Sequence, residues 1–159
     1  MVRLGKLALP LIAAALVSAG CARSPSTGAA GRAPTPAAAN LTGESTSKRA
    51  VETFMRAVKA QDLQQMATAW GTAKGPARDL MSREELEKRL IIMQCNMSHD
   101  SFSFLEAQPR LQTGGRHEYL VEIRKDRLNA KTTFTTVPGP EQRWYVEIVD
   151  LAPLKDFCS

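Results

Sequence analysis

Cys95 and His99 stand four residues apart, the spacing that brings two side chains to one helix face and supplies two ligands of a zinc site. A zinc site needs further ligands, and no third or fourth stands at a matching interval, so neither a metal nor a cofactor is expected. His99 also adjoins Asp100, and an imidazole beside a carboxylate is the pairing of a general base that works near neutral pH. Adjacent residues on an extended segment point opposite ways, so the two are badly placed to act as a dyad. No catalytic residue is assigned, and His99 stays as an alternative. The second histidine, His117, follows Gly114-Gly115-Arg116 in what reads as a turn, and both histidines are expected in solvated connections. The three cysteines, Cys21, Cys95 and Cys158, include no C-x-x-C pair and no nucleophile motif. Arg124, Lys125, Arg127 and Lys131 gather around one turn. They could meet anionic lipid headgroups or a cell-wall polymer, but such charges more often solvate a strand end and discourage edge pairing.

What these side chains can do depends on the compartment. Arg3 and Lys6 open the chain, Leu7 to Val17 is apolar throughout, and Ser18, Ala19 and Gly20 are small. That order is the one found in secretory signal peptides. The apolar run is about half of the roughly 20 residues a spanning helix needs, and Pro10 interrupts it. Val17-Ser18-Ala19-Gly20-Cys21 resembles the lipobox of bacterial lipoproteins, with Ser18 where a leucine-like residue is usual. The resemblance implies removal of residues 1–20 and lipidation of Cys21 by a diacylglycerol thioether and an N-acyl chain such as palmitate. That exceeds the two anchoring signals needed for stable attachment. The expected location is the cell envelope, outside the cytoplasm. Ala22 after the cysteine resembles sorting to the periplasmic face of the outer membrane in a host that has one.

With Cys21 carrying lipid, Cys95 and Cys158 remain as an even pair in a compartment that permits disulfides. A bridge between them is expected, closing a loop of about 60 residues and contributing about 4 kcal/mol in the chain-entropy picture. It would also withdraw Cys95 from any metal. Loss of Arg3 and Lys6, with no acid lost, lowers the net charge from +5 to +3, too mild to argue for nucleic acid.

The elements that would position these groups follow from periodicity. From Ala22 to Asn40 there is no Val, Ile, Leu, Met or aromatic residue, so residues 21–44 read as a lipidated cysteine on a disordered Ala/Pro-rich tether. A folded domain is expected over residues 45–159. Val51, Phe54, Met55 and Val58 recur at helical spacing, with Ser45 to Ser47 offering capping hydroxyls. Asp62 reads as the cap of a second short helix carrying Leu63, Met66, Ala67 and Trp70, and Gly71 to Pro76 breaks the pattern. Ser82-Arg83-Glu84-Glu85 is a capping box flanked by the staple pair Met81 and Leu86, which starts a third helix that turns Leu86, Leu90 and Met93 inward and fades near Asn96. After His99 the period becomes two: Phe102 and Phe104; then Tyr119, Val121 and Ile123; then Lys131 to Val137; then Gln142 to Asp150 with Trp144, Val146 and Ile148 on one face. Helices first and strands joined by short turns second predict an α+β fold, with N-terminal helices packed on an antiparallel sheet.

The opening Ala50-Val51-Glu52-Thr53-Phe54-Met55-Arg56-Ala57-Val58, the helix-starting Asp62 and the closing Arg143-Trp144-Tyr145-Val146 together resemble the NTF2-like, cone-shaped α+β domains of many exported lipoproteins. The resemblance implies a curved antiparallel sheet, and it covers about residues 45–156. Members of that superfamily include isomerases, dehydratases and non-catalytic domains, so the fold does not choose among them. Phe102, Phe104, Tyr119, Phe134 and Trp144 all fall on strands, where they either fill a core or line a pocket for an apolar ligand. The leading expectation is a non-catalytic binding or interaction domain, held to a membrane through Cys21 and meeting an envelope protein. A carrier of a small apolar molecule, and an isomerase- or dehydratase-like enzyme using a pocket carboxylate or His99, are the alternatives.

Overall fold

The computed structural model describes residues 42–158. Residues 1–20, Cys21 and the tether up to residue 41 lie outside that range. Among the described residues no helix is long and apolar enough to cross a membrane.

The fold is α+β. Helix α1 (Ser47–Ala60) starts where Thr46 accepts a hydrogen bond from the Arg49 amide, and it ends at Gln61, which takes a left-handed conformation. Its inward stripe of Ala50, Val51, Phe54, Met55, Ala57 and Val58 is sealed from water. Helix α2 (Leu63–Ala69) is capped by Asp62, whose carboxylate accepts from the Gln65 amide at 2.9 Å. The segment expected only to break the pattern forms a small antiparallel hairpin, β1 (Gly71–Thr72) with β2 (Gly75–Pro76). Helix α3 (Arg83–Asn96) begins at the expected cap, with Ser82 accepting from the Glu85 amide, and buries Leu86, Leu90 and Met93. Only half of the capping box is used: Glu85 pairs with Arg89 one turn on, at 2.5 Å. The i,i+4 partner wins because it offers a charged donor.

The main sheet has five antiparallel strands: β3 (Ser101–Phe104), β4 (Arg110–Leu111), β5 (His117–Lys125), β6 (Leu128–Pro138) and β7 (Trp144–Val149). Their order is β3-β5-β6-β7, with β4 beside the other end of β5. The inner face carries Tyr119, Val121 and Ile123 from β5 and Phe134 from β6, and α1 packs across β6 and β7. A 3-10 segment, Ala152–Cys158, closes the fold by burying Leu154 and Phe157 against β6 and α3.

Three expectations are corrected. Thr42–Glu44, assigned to the tether, is part of the fold: Glu44 and Trp144 exchange backbone hydrogen bonds at 2.9 and 2.7 Å, and the Gly43 amide donates to Thr68. Arg143 holds this segment as well, donating to the carbonyls of Thr42 and Gly43. Ile148 does not share a face with Trp144 and Val146. Glu147 is an extra residue opposite Thr135 and Thr136, and this bulge reverses the alternation, leaving Ile148 58% exposed and Val149 packed on the core. His117 is the first residue of β5 and not part of the turn, which ends at Gly115 with both glycines at positive φ.

Tyr145 lies on the sheet face opposite α1 yet is only 2% exposed. Its ring fits against Gly43 and Gly139, where an added Cβ would stand 2.8 and 2.7 Å from ring carbons, and its hydroxyl meets Thr42 Oγ1 at 3.1 Å. The entering chain thus acts as the lid over that residue.

Cys95, near the end of α3, is bonded to Cys158, with the two Cα atoms 4.9 Å apart and a sequence separation of 63. Cys158→Ser should lower unfolding stability by about 4 kcal/mol, the chain-entropy value for such a loop, and added dithiothreitol should do the same to the wild type. Denaturant titration with and without reductant checks this. Equal midpoints in both conditions would contradict it.

Candidate functional site

Polar chemistry gathers at the two ends of α1. At its N-terminal end Ser47 Oγ lies 2.8 Å from His117 Nδ1 and 2.7 Å from the Tyr119 hydroxyl. The His117 ring also stacks on Trp144, with centroids 4.5 Å apart. Ser47 is in the first turn of α1, while His117 and Tyr119 point inward from the same strand two residues apart, so helix capping and strand alternation bring the three together. Burial holds the Tyr119 hydroxyl above its ordinary pKa, against a smaller opposite effect of its hydrogen bond to Ser47. The trio therefore forms a neutral hydroxyl relay onto an imidazole, and it ties helix to sheet. Ser47 is 6% exposed, which leaves little access for a substrate carbonyl.

At the other end of α1, His99 is 7% exposed, not solvated as the sequence suggests. Its Nδ1 lies 2.8 Å from the Met97 carbonyl, which fixes the tautomer: Nδ1–H donates and Nε2 keeps a bare lone pair. Nε2 is buried and has no hydrogen-bond partner. The ring meets Phe102 edge-on at 5.6 Å. Burial is the main cause that lowers the His99 pKa; the Met97 bond opposes it, Lys59 adds to it and Asp100 opposes it. Asp100 forms no dyad with His99, since its carboxylate accepts from the Asp126 amide. Cys95 is in the disulfide, and among the described residues no group of three or more potential metal ligands is found.

The five aromatic residues weighed as pocket lining form part of the packed interior. Tyr119 and Phe134 are buried, while Phe102, Phe104 and Trp144 are half-buried against the same core. Phe102, Phe104 and Tyr119 meet edge-to-face at 6.1 and 5.3 Å, a favoured geometry for aromatic quadrupoles, and the Lys48 ammonium sits 4.8 Å from the centre of the Phe104 ring. In the basic cluster, Arg124 is held by Glu122 at 2.5 Å. The Glu122 carboxyl lies below its ordinary pKa because of Arg124 first and Asn129 second. Lys125 leaves the cluster altogether and donates to the Phe157 carbonyl at 2.6 Å.

The relay escapes sequence reading because His117 follows two glycines, although one further step of the Tyr119–Val121–Ile123 alternation reaches it. The chain matches no protein-family model, no curated protein and no solved structure.

Two outcomes follow. Ser47→Ala leaves Tyr119 with an unmet buried hydroxyl and should cost about 1–3 kcal/mol in urea unfolding; a loss under a few tenths would mean the relay does not brace the helix. For His99, folded and unfolded chains are both neutral well above pH 6.5, the ordinary imidazole value. Below it the unfolded chain takes up a proton that the folded chain resists, so stability falls as the pH drops through 6.5 toward the lowered folded value. His99→Asn keeps a donor for Met97 and removes the titration. The wild-type minus variant difference should therefore decline across that window, and a flat difference would refute the assignment.

Proposed function

We propose that the chain is a lipid-anchored protein of a bacterial cell envelope whose NTF2-like domain works by binding, not by catalysis. The anchor rests on Val17-Ser18-Ala19-Gly20-Cys21, and the family on the helix-then-sheet order and the residues that open α1 and close β7. The observation that carries the binding reading is the filled inner face. Where a cone-shaped enzyme or carrier needs room for its ligand, Phe54, Met55, Tyr119, Val121 and Phe134 pack together at no more than 4% exposure. Sites for partners are then sought on the outside of the domain and at the ends of α1.

A second feature supports a tethered arrangement. Thr42–Glu44 is fastened by backbone pairing with Trp144 and by the two bonds from Arg143, so any pull from the preceding chain is taken up at one rigid point.

The full chain expressed in a bacterial host with an alkyne-bearing palmitate should acquire label and partition into detergent, and Cys21→Ala should lose both. A wild-type chain that stays unlabelled, or a variant labelled as strongly, overturns the anchor. Crosslinking of the lipidated chain in its own host should capture a defined envelope component, and recovery of none tells against an interaction domain.

A further inference from the structure

An open cleft of about 400 Å³ lies at the C-terminal end of α1, beside the disulfide. It is lined by Lys59 of α1, Ile91 and Gln94 of α3, Ser98 and His99 beyond α3, and Lys125 of β5, with Val58, Gln61, Phe157 and both bridged cysteines completing it. Its volume falls in the range of small-molecule sites, roughly 300–1,000 Å³. Among the described residues that line it, two are cations and none is a carboxylate. Both ammonium groups are anchored: Lys59 donates to the Asp100 carbonyl at 2.5 Å and Lys125 to the Phe157 carbonyl at 2.6 Å. An ammonium has three N–H donors and each lysine uses one in these bonds to the described residues, so its long side chain is already held in place for a ligand.

His99 supplies an independent observation. It lines this cleft, and its Nε2 is an acceptor with no donor, buried at a cost of about 1–3 kcal/mol. A ligand suited to the cleft therefore brings a negative group for the lysines and an N–H donor that the covered imidazole nitrogen can accept from once the ring turns toward the cleft. Its third part is an apolar side chain for Val58, Ile91 and Phe157. We propose that this cleft binds an organic carboxylate flanked by an amide N–H and an apolar side chain, the chemistry shared by an N-acylated apolar amino acid and the C-terminal residue of a peptide. The proposal rests on the domain's being a binding module, but not on its anchor. The cleft is at the far end of α1 from the pinned Thr42–Glu44 segment; the 14-residue helix puts about 20 Å between them.

The test is an NMR titration of the full chain at fixed pH with four probes: N-acetyl-leucine, a short peptide ending in leucine, the same peptide amidated, and inorganic phosphate. The two acids should shift the amide signals of Lys59, Ser98, His99 and Lys125, and the tighter of the two identifies the source of the carboxylate. The amidated peptide should bind at least about tenfold more weakly, as expected when a charge-assisted hydrogen bond is lost. Paired Lys59→Gln and Lys125→Gln should lose binding, whereas the paired Arg variants, which keep both charges, should retain it. Equal shifts from acid and amide, tighter binding of phosphate, or full binding by the Gln pair would overturn the proposal. No shift from any probe, with a partner still captured by crosslinking, would sink this cleft while leaving the binding domain intact.

Discussion

Helix α1 and the inner sheet face exclude water from one another, and the rest of the domain is arranged around that contact. Six residues of the helix have essentially no exposure, and they meet Phe134, Val146 and their neighbours across β6 and β7. At roughly 1.5–3 kcal/mol for each large apolar side chain buried, this contact is a large apolar contribution to the fold. It also uses up the space that a ligand would need inside. Because the helix cannot slide or tilt without opening this interface, its two ends have fixed positions, and polar groups can be built there with definite geometry.

The two ends have different characters for physical reasons. At the N-terminal end the incoming chain is hydrogen-bonded along its backbone to Trp144, and Ser47 shares its hydroxyl with Tyr119 and His117. These bonds join helix, sheet and entering chain, which makes that end a brace. At the C-terminal end the disulfide and the buried Leu154 and Phe157 pull the tail onto α3, but the packing stops short of filling the gap between α1, α3 and β5. Two anchored ammonium groups line that gap, beside a buried imidazole nitrogen that has no hydrogen-bond partner.

Much of the fold could be read from local pattern because the signals are local. Asp62 and Ser82 cap the helices expected of them, since a cap needs only a side-chain oxygen and an amide three residues away. The inward sets of α1, α3 and β5 follow from the 3.6 and 2.0 periods. The same logic failed at Ile148, where a single bulged residue reverses the alternation, and at Glu85, where a charged neighbour took the carboxylate. His99 looked solvated because its neighbours are polar. It is buried all the same, with Nδ1 on the Met97 carbonyl and the ring edge-on to Phe102.

The sequence by itself determined the α+β order, the helix starts and the pairing of Cys95 with Cys158 left over once Cys21 is set aside. These depend on residue type, spacing and cysteine arithmetic. Only the tertiary structure decided that the inner face is filled, that Thr42–Glu44 belongs to the domain, and that Lys59, His99 and Lys125 line one cleft. Those facts depend on how residues from separate elements divide a fixed volume. No local pattern encodes that division, because it is settled when α1, α3, β5 and the C-terminal segment close on one another.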